Sequence, residues 1–209
     1  MDKVLLYPAY FPCILQMVAI VQAGSVVFEL EDNFQKQTYR NRAYIAHSNG
    51  KLLLNTPIAK NKTNSSQRKT KDIITSGDMP WQQHHYKSIV SAYKSSPFFE
   101  FYIDDLDTLF TKPVKSLQEH NLELFKILCE VLDLNVDISF TTTYTDSFDG
   151  LDLRELIDAK KEVKHIFTPY TQVFIESNGF IPNLSILDLL FNLGPACLSY
   201  LKEEKVNFN

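Results

Sequence analysis

The densest run of chemically capable side chains lies between residues 29 and 42, Glu-Leu-Glu-Asp-Asn-Phe-Gln-Lys-Gln-Thr-Tyr-Arg-Asn-Arg. Asp32, Lys36, Gln37, Arg40, Asn41 and Arg42 there supply charges of both signs and two amides. If the chain is extended from Tyr39 onward, alternation puts Arg40 and Arg42 on one face and Tyr39 and Asn41 on the other. Two neighbouring guanidiniums suit a phosphate or carboxylate, which each can grip with two N–H groups. The expected ligand is therefore a small anionic molecule. Glu31 and Asp32 could instead neutralise the arginines, and the charge pattern leaves a salt-bridged surface hairpin equally open.

Two other groups could move or hold a proton. His85 shares a helix face with Trp81 and Ile89, and an imidazole titrates close enough to neutrality to serve as general acid or base. A core histidine with one satisfied N–H is the other reading. Ser185, Asp188 and Asn192 form a polar stripe in an apolar run. Ser185 and Asp188 fit a capping box. A carboxylate among Leu184, Leu187 and Phe191 must find a partner if buried, so Asp188, or Asp32, is the candidate to orient His85. Tyr10 can stack on a ligand, hydrogen-bond it, or pack. His47, His120 and His165 read as surface residues, and Cys129 as part of a helical apolar stripe.

The motifs that are missing decide as much. The six glycines fall too far apart for a GxGxxG or GxxxxGK[ST] loop, which argues against nucleotide hydrolysis of the Walker type and against an ordinary dinucleotide dehydrogenase. There is no GxSxG and no HExxH. His84 and His85 would point about 100° apart on a helix, so they do not share a metal. No metal is expected, and no motif names a cofactor.

The elements that must carry these groups read as follows. Val4-Leu5-Leu6 is a short strand. Pro12 sits in the first turn of a helix carrying Ile14, Met17, Val18 and Val21, and Gly24 is its C-cap. Residues 25–30 form a second strand. Strand, helix, strand implies a parallel βαβ unit, whose first loop lies at a carboxyl end, where α/β sheets bind ligands. Residues 42–47 and 51–56 flank Ser48-Asn49-Gly50, a hairpin signal. Residues 60–71 carry five cations and no acid, a basic polar loop expected to be mobile. Helices are expected over 80–94, 98–110 and 116–132, strands over 136–142 and 170–175, a short helix over 153–159, and a final helix after residue 181, interrupted at Gly194-Pro195.

Composition bounds the rest. The 209 residues are 44% hydrophobic and 22% charged, enough for one globular domain spanning 1–209. The net charge of −4 argues against a nucleic-acid binder, whose domain pI typically exceeds about 9. Three widely spaced cysteines form no CxxC, which suits a reduced cytosolic compartment rather than a disulfide scaffold. No signal peptide is evident at the start, and the apolar run 14–21 is too short to span a bilayer, which takes about 20 residues.

Several segments together resemble one family. Gln35-Lys36-Gln37-Thr38-Tyr39-Arg40-Asn41-Arg42 looks like the signature of WbqC-like bacterial proteins, encoded in surface-polysaccharide and O-antigen clusters. Pro8-Ala9-Tyr10-Phe11-Pro12 resembles their amino-terminal motif, and Trp81-Gln82-Gln83-His84-His85-Tyr86 their Trp/His helix. Residues 91–100 and 179–192 also fit, so the resemblance runs along nearly the whole chain, in order. Two positions depart from it: Leu6-Tyr7-Pro8 stands where many longer members have His-Gln-Pro, and Glu31 where related short members often carry histidine. The resemblance implies a cytosolic enzyme of surface-polysaccharide biosynthesis that transfers an acyl or aminoacyl group to a nucleotide-linked sugar. The rival class is a non-catalytic binding or scaffolding protein for polysaccharide assembly. In the enzyme reading His85, Asp188 and Asp32 are catalytic, and Tyr10, Lys36, Gln37, Arg40, Asn41, Arg42 and Asn192 bind the ligand; Tyr10, Asp32, Lys36, Arg40, Arg42, His85 and Asp188 are expected to converge on one pocket. The expected fold is α/β: an amino-terminal βαβ unit plus a β-hairpin, with a largely helical second half packed on a mixed sheet.

Overall fold

A computed structural model describes residues 2–60, 68–161 and 165–208. In chain order the elements are β1 (Lys3–Leu6), α1 (Ile14–Val21), β2 (Ser25–Phe28), β3 (Arg42–His47), β4 (Gly50–Asn55), α2 (Trp81–Tyr93), α3 (Phe99–Tyr102), α4 (Thr108–Thr111), α5 (Leu117–Val131), β5 (Asp137–Phe140), β6 (Leu151–Asp152), α6 (Ile175–Asn178), α7 (Ile186–Leu193) and α8 (Cys197–Glu203). Short 3₁₀ turns at Thr70–Asp72, Arg154–Ile157 and Gly194–Ala196 join some of them.

The α/β expectation is borne out, with parallel and antiparallel pairing in two separate sheets. The parallel sheet has the order β5-β2-β1-β6, and β3 and β4 form the antiparallel hairpin. Val4 pairs with Val26 and with Leu151, and Val26 pairs with Ile138. Strands buried on both faces read as continuous apolar runs, as Val4-Leu5-Leu6 and Val26-Val27-Phe28 do. Helix α1 is buried almost all round for the same reason. Cys13, its N-cap residue, makes no side-chain capping hydrogen bond. The loop before α7 serves instead: Ile14 donates to the Leu184 carbonyl and Leu15 to Oδ1 of Asn183. Pro12 therefore lies ahead of the helix rather than in its first turn, its carbonyl accepting from Ile186. The C-cap is Gln22, not Gly24. At Gly24 a Cβ would come within 2.8 Å of the Asp2 carbonyl, so that glycine serves a close backbone approach.

The hairpin register places His47 opposite Gly50, and φ is positive at Gly50 alone in that turn. Helices α2 and α5 lie close to the expected limits, with Ser116 capping α5 by accepting from Glu119 N–H. The expected helix over 98–110 is instead α3 and α4 with turns between, where Asp104, Asp105 and Asp107 crowd a poor helix-forming stretch. Within the short helix expected over 153–159, Arg154–Ile157 makes a 3₁₀ turn. Residues 170–175 are not a strand. Tyr170 and Gln172 are used there as side-chain donors to Asp188, and the backbone has no ladder partner. Of the basic loop, 61–67 lie outside the described residues. Its flank is tied down: Arg68 carbonyl accepts from Phe34, Thr70 N–H reaches Asp32 carbonyl, and Lys69 and Lys71 both hold Glu31.

Candidate active site

The parallel sheet sets the location of the site. From β1 the chain crosses by α1 to β2 on one side, and it returns to β6 on the other side of β1. Loops at the carboxyl ends of β1 and β6 therefore diverge and leave a crevice, the place where α/β proteins bind ligands. A cleft of about 490 Å³ lies there, walled by Tyr7, Gln35, Tyr144, Asp152, Arg154, Glu155, Ile157, Asp158 and Lys161.

Each wall has a support. Tyr7 follows β1, and the Arg40 guanidinium stacks on its ring at 4.0 Å. Burial, with the Asp32 charge adding to it, pushes the Tyr7 hydroxyl up to about 12, so Tyr7 is a hydrogen-bond donor at neutral pH. Tyr144 is exposed, and Arg154 lies over its ring at 5.2 Å. Arg154 Nε and Nη2 hold Asp152, and Nη1 donates to the Thr145 carbonyl. Those Arg154 hydrogen bonds hold the Asp152 carboxyl below its ordinary range. Glu29, wholly buried at the end of β2, accepts from Glu31 N–H, the Thr141 hydroxyl and Thr145 N–H. It thereby pins the loop carrying Tyr144.

Six of the ten sequence-derived candidates separate into three clusters. Asp32 and Arg40 form one, a buried ion pair of 2.5 Å (Arg40 Nη2 to Asp32 Oδ2) behind Tyr7. Tyr39 and Arg40 lie in a turn rather than an extended run, Asn41 N–H closing on the Thr38 carbonyl, so Arg40 and Arg42 do not project together. Arg42 instead begins β3, paired with Asn55. Asn41 is buried, its amide donating to the Thr56 carbonyl. Lys36 and Gln37 are exposed, and neither lines the cleft, although Gln35 does.

Tyr10 and His85 form the second cluster. The Tyr10 hydroxyl and His85 Nδ1 are 2.7 Å apart. Trp81 and His120 complete an aromatic box, with ring centroids 5.2–6.2 Å apart. Burial pulls both His85 and His120 down to about 4. His120 is thus a core residue and not a surface one, on the α5 face that also buries Asn121 and Leu124.

Asp188 and Asn192 form the third. Asp188 has no exposed surface and accepts from the hydroxyls of Tyr93 and Tyr170 and the amide of Gln172. It does not reach back to cap α7; Ser185 Oγ accepts from Leu187 N–H instead. Asn192 donates to the Asp188 carbonyl. Tyr93 follows His85 by eight residues on α2, a separation of roughly 12 Å along the helix. Neither Asp188 nor Asp32 is among the hydrogen-bond partners of His85 in the described residues. These residues do not converge on one pocket: six of the ten lie in three packed clusters, and Lys36, Gln37, Asn41 and Arg42 lie outside them. Replacing Asp188 with asparagine is expected to cost about 1–3 kcal/mol of stability, since an amide cannot accept from three donors at once. Urea unfolding of the variant measures this.

Tyr7, Glu29, Tyr144 and Arg154 did not stand out in the sequence as a site. Tyr7 carried a signal, its place directly after a strand. Arg154 follows a strand only two residues long, which has no pattern to read.

These features define an α/β protein with a polar, tyrosine-walled cleft at the carboxyl edge of its parallel sheet. The WbqC-like protein family model matches residues 7–166, and the chain belongs to that family. No curated protein and no solved structure matches it. Among the described residues no helix is long and apolar enough to cross a membrane, and no cluster of metal-ligating side chains occurs.

Proposed function

We propose that the cleft between the ends of β1 and β6 binds a nucleotide-linked sugar, and that the protein is an enzyme of bacterial surface-polysaccharide biosynthesis transferring an acyl or aminoacyl group to that sugar. One observation carries the reading: two tyrosine rings wall the cleft, each with an arginine against it. Aromatic faces take a base or a sugar ring. Arg154 and Lys161 can meet phosphate oxygens. Asp152, Glu155 and Asp158 supply acceptors for sugar hydroxyls or an amino group. The family resemblance supplies the polysaccharide context. His85 has no role in this chemistry, being enclosed with Tyr10, Trp81 and His120.

The test is a melting curve in the presence of uridine or thymidine diphosphate sugars. A ligand at a hundred times its dissociation constant adds about 2.7 kcal/mol, or roughly 5–10 °C for a chain of this size. Tyr144→Ala should weaken binding at least tenfold while leaving the unliganded melting point nearly unchanged, because Tyr144 is 45% exposed. If no nucleotide sugar shifts the curve, or the shift survives in Tyr144→Ala and Arg154→Ala alike, the assignment of this cleft fails.

A second reading, binding or scaffolding without catalysis, is favoured by the open edge of the sheet. There Ile138 and Phe140 are exposed beside Leu122 and Cys129 of α5. Under that reading Ile138→Lys abolishes association with an assembly partner, and nucleotide sugars leave the melting point untouched.

A further inference from the structure

Beyond the cleft, across the 3₁₀ turn Arg154–Ile157, lies a second cavity of about 370 Å³. The two share Glu155, Asp158 and Lys161 as a common rim. The far cavity differs in character. Leu15, Leu156, Val206 and Phe208 give it an apolar wall, and His165 stands at its polar side. The Nε2 of His165 is 2.9 Å from Oε1 of Glu204. Glu204 is buried and also accepts from Thr168 N–H. With Oε1 as acceptor, Nε2 donates to Glu204 and Nδ1 is the ring nitrogen left with a free lone pair. This is the arrangement of a proton acceptor oriented by a fixed acid. Cys13 also touches the cavity, but burial pushes its thiol up to about 11, so it offers no thiolate nucleophile at neutral pH.

We propose that this cavity binds the acyl donor, a short-chain thioester, and that His165, positioned by Glu204, is the base for direct transfer across the shared rim. The proposal rests on the reading of the first cleft as the sugar site. An amino group of the bound sugar attacks the thioester carbonyl carbon, and a C–N bond forms. His165 Nδ1 takes the proton from that nitrogen. The adduct collapses with loss of the C–S bond, and the departing thiolate takes the proton back from the imidazolium. The products are an amide and a free thiol, with no redox change. The charged groups around His165 are Glu204 behind it and Lys161, Lys205, Glu155 and Asp158 about the cavity. Glu204 stabilises the imidazolium formed during transfer.

The experiment titrates isotope-labelled protein with the butyryl thioester of N-acetylcysteamine, with and without a nucleotide-linked amino sugar, and then follows butyryl transfer. The expected result is saturable perturbation of the His165 imidazole and the Leu156 and Val206 methyls while the sugar remains bound. His165→Gln should lower transfer about 100-fold or more, with thioester affinity changed less than threefold. Glu204→Gln keeps the bond to Thr168 and should lower kcat for transfer about tenfold or more with the thioester KM changed less than threefold, because the imidazolium formed during transfer loses its counter-charge. Sugar binding without any perturbation of the second cavity overturns this inference alone. Binding of both molecules with no transfer, or transfer unaffected in both variants, overturns the role of His165. Absence of sugar binding overturns the functional reading itself, and the donor site with it.

Discussion

Arg40→Ala is expected to destabilise the protein by about 3–5 kcal/mol, the cost of leaving a buried charge without its partner. Arg40 and Asp32 are 1% and 3% exposed and joined at 2.5 Å. Burial raises the Asp32 carboxyl, and the Arg40 charge opposes that rise. Removing the guanidinium also removes the surface on which the Tyr7 ring rests. On a chain of this length the loss corresponds to roughly 6–20 °C in melting temperature. Arg40→Lys keeps the charge but not the planar stack, so it should melt earlier than the parent too. It should bind nucleotide sugars within a few-fold of the parent, because Arg40 supports the cleft wall and does not line it. A double replacement, Asp32→Leu with Arg40→Met, should recover most of the stability lost in Arg40→Ala, since no buried charge remains. Urea melts of the four proteins decide the matter. If Arg40→Ala melts with the parent but loses nucleotide-sugar binding, the guanidinium belongs to the ligand and not to the fold.

Acid is expected to unfold the protein over a window set by two histidines. His85 and His120 have ordinary values of 6.5 and are pulled to about 4 by burial, the largest cause in both. A lowered folded value means that the native state favours the neutral ring. The stability is therefore fully present above pH 6.5 and is lost as the pH falls toward 4. The loss is on the order of 3 kcal/mol for each ring. Asp32 and Asp188 act in the opposite sense: their carboxyls are raised by burial, so protonation favours the native state and offsets part of the loss. The melting temperature should drop steeply between pH 6.5 and 4 and stay nearly flat from 6.5 to 8. A His85→Gln, His120→Leu variant should flatten the acid slope. A parent whose melting point is level down to pH 4.5, or a variant that keeps the full slope, would show that these rings are open to water.

Some features were legible because the physics behind them is local. Val4-Leu5-Leu6 and Val26-Val27-Phe28 have no polar face to show solvent, and the apolar helix between them leaves only a parallel pairing. Ser48-Asn49-Gly50 can reverse a chain with no help from elsewhere. The face of α2 carrying Trp81, His85, Ile89 and Ala92 follows from a period of 3.6 residues. Pairing of Arg40 with Asp32 was an open alternative on charge pattern alone. What decided it was a turn at Tyr39 and Arg40, and that turn is held by distant groups: Tyr39 donates to the Ile157 carbonyl, and Asn121 donates to the Arg40 carbonyl.

The sequence by itself determined the βαβ unit, the hairpin, the two long helices and the family. Each of these rests on periodicity, turn chemistry or an ordered set of short segments, which are properties of neighbours in the chain. The tertiary structure alone decided where the functional groups meet. Asp188 was a polar break in an apolar helix until Tyr93, Tyr170 and Gln172 closed on it from two other segments. His120 read as a surface residue from the sequence, and only the packing of Tyr10 and Trp81 over it made it a core one. The cleft requires Tyr7, Tyr144 and Arg154 to arrive together. They do so because parallel pairing of β1 with both β2 and β6 fixes which loop ends are adjacent, and a strand of two residues, Leu151–Asp152, has no sequence pattern of its own. Its register is imposed by hydrogen bonds to β1, an interaction between residues nearly 150 positions apart.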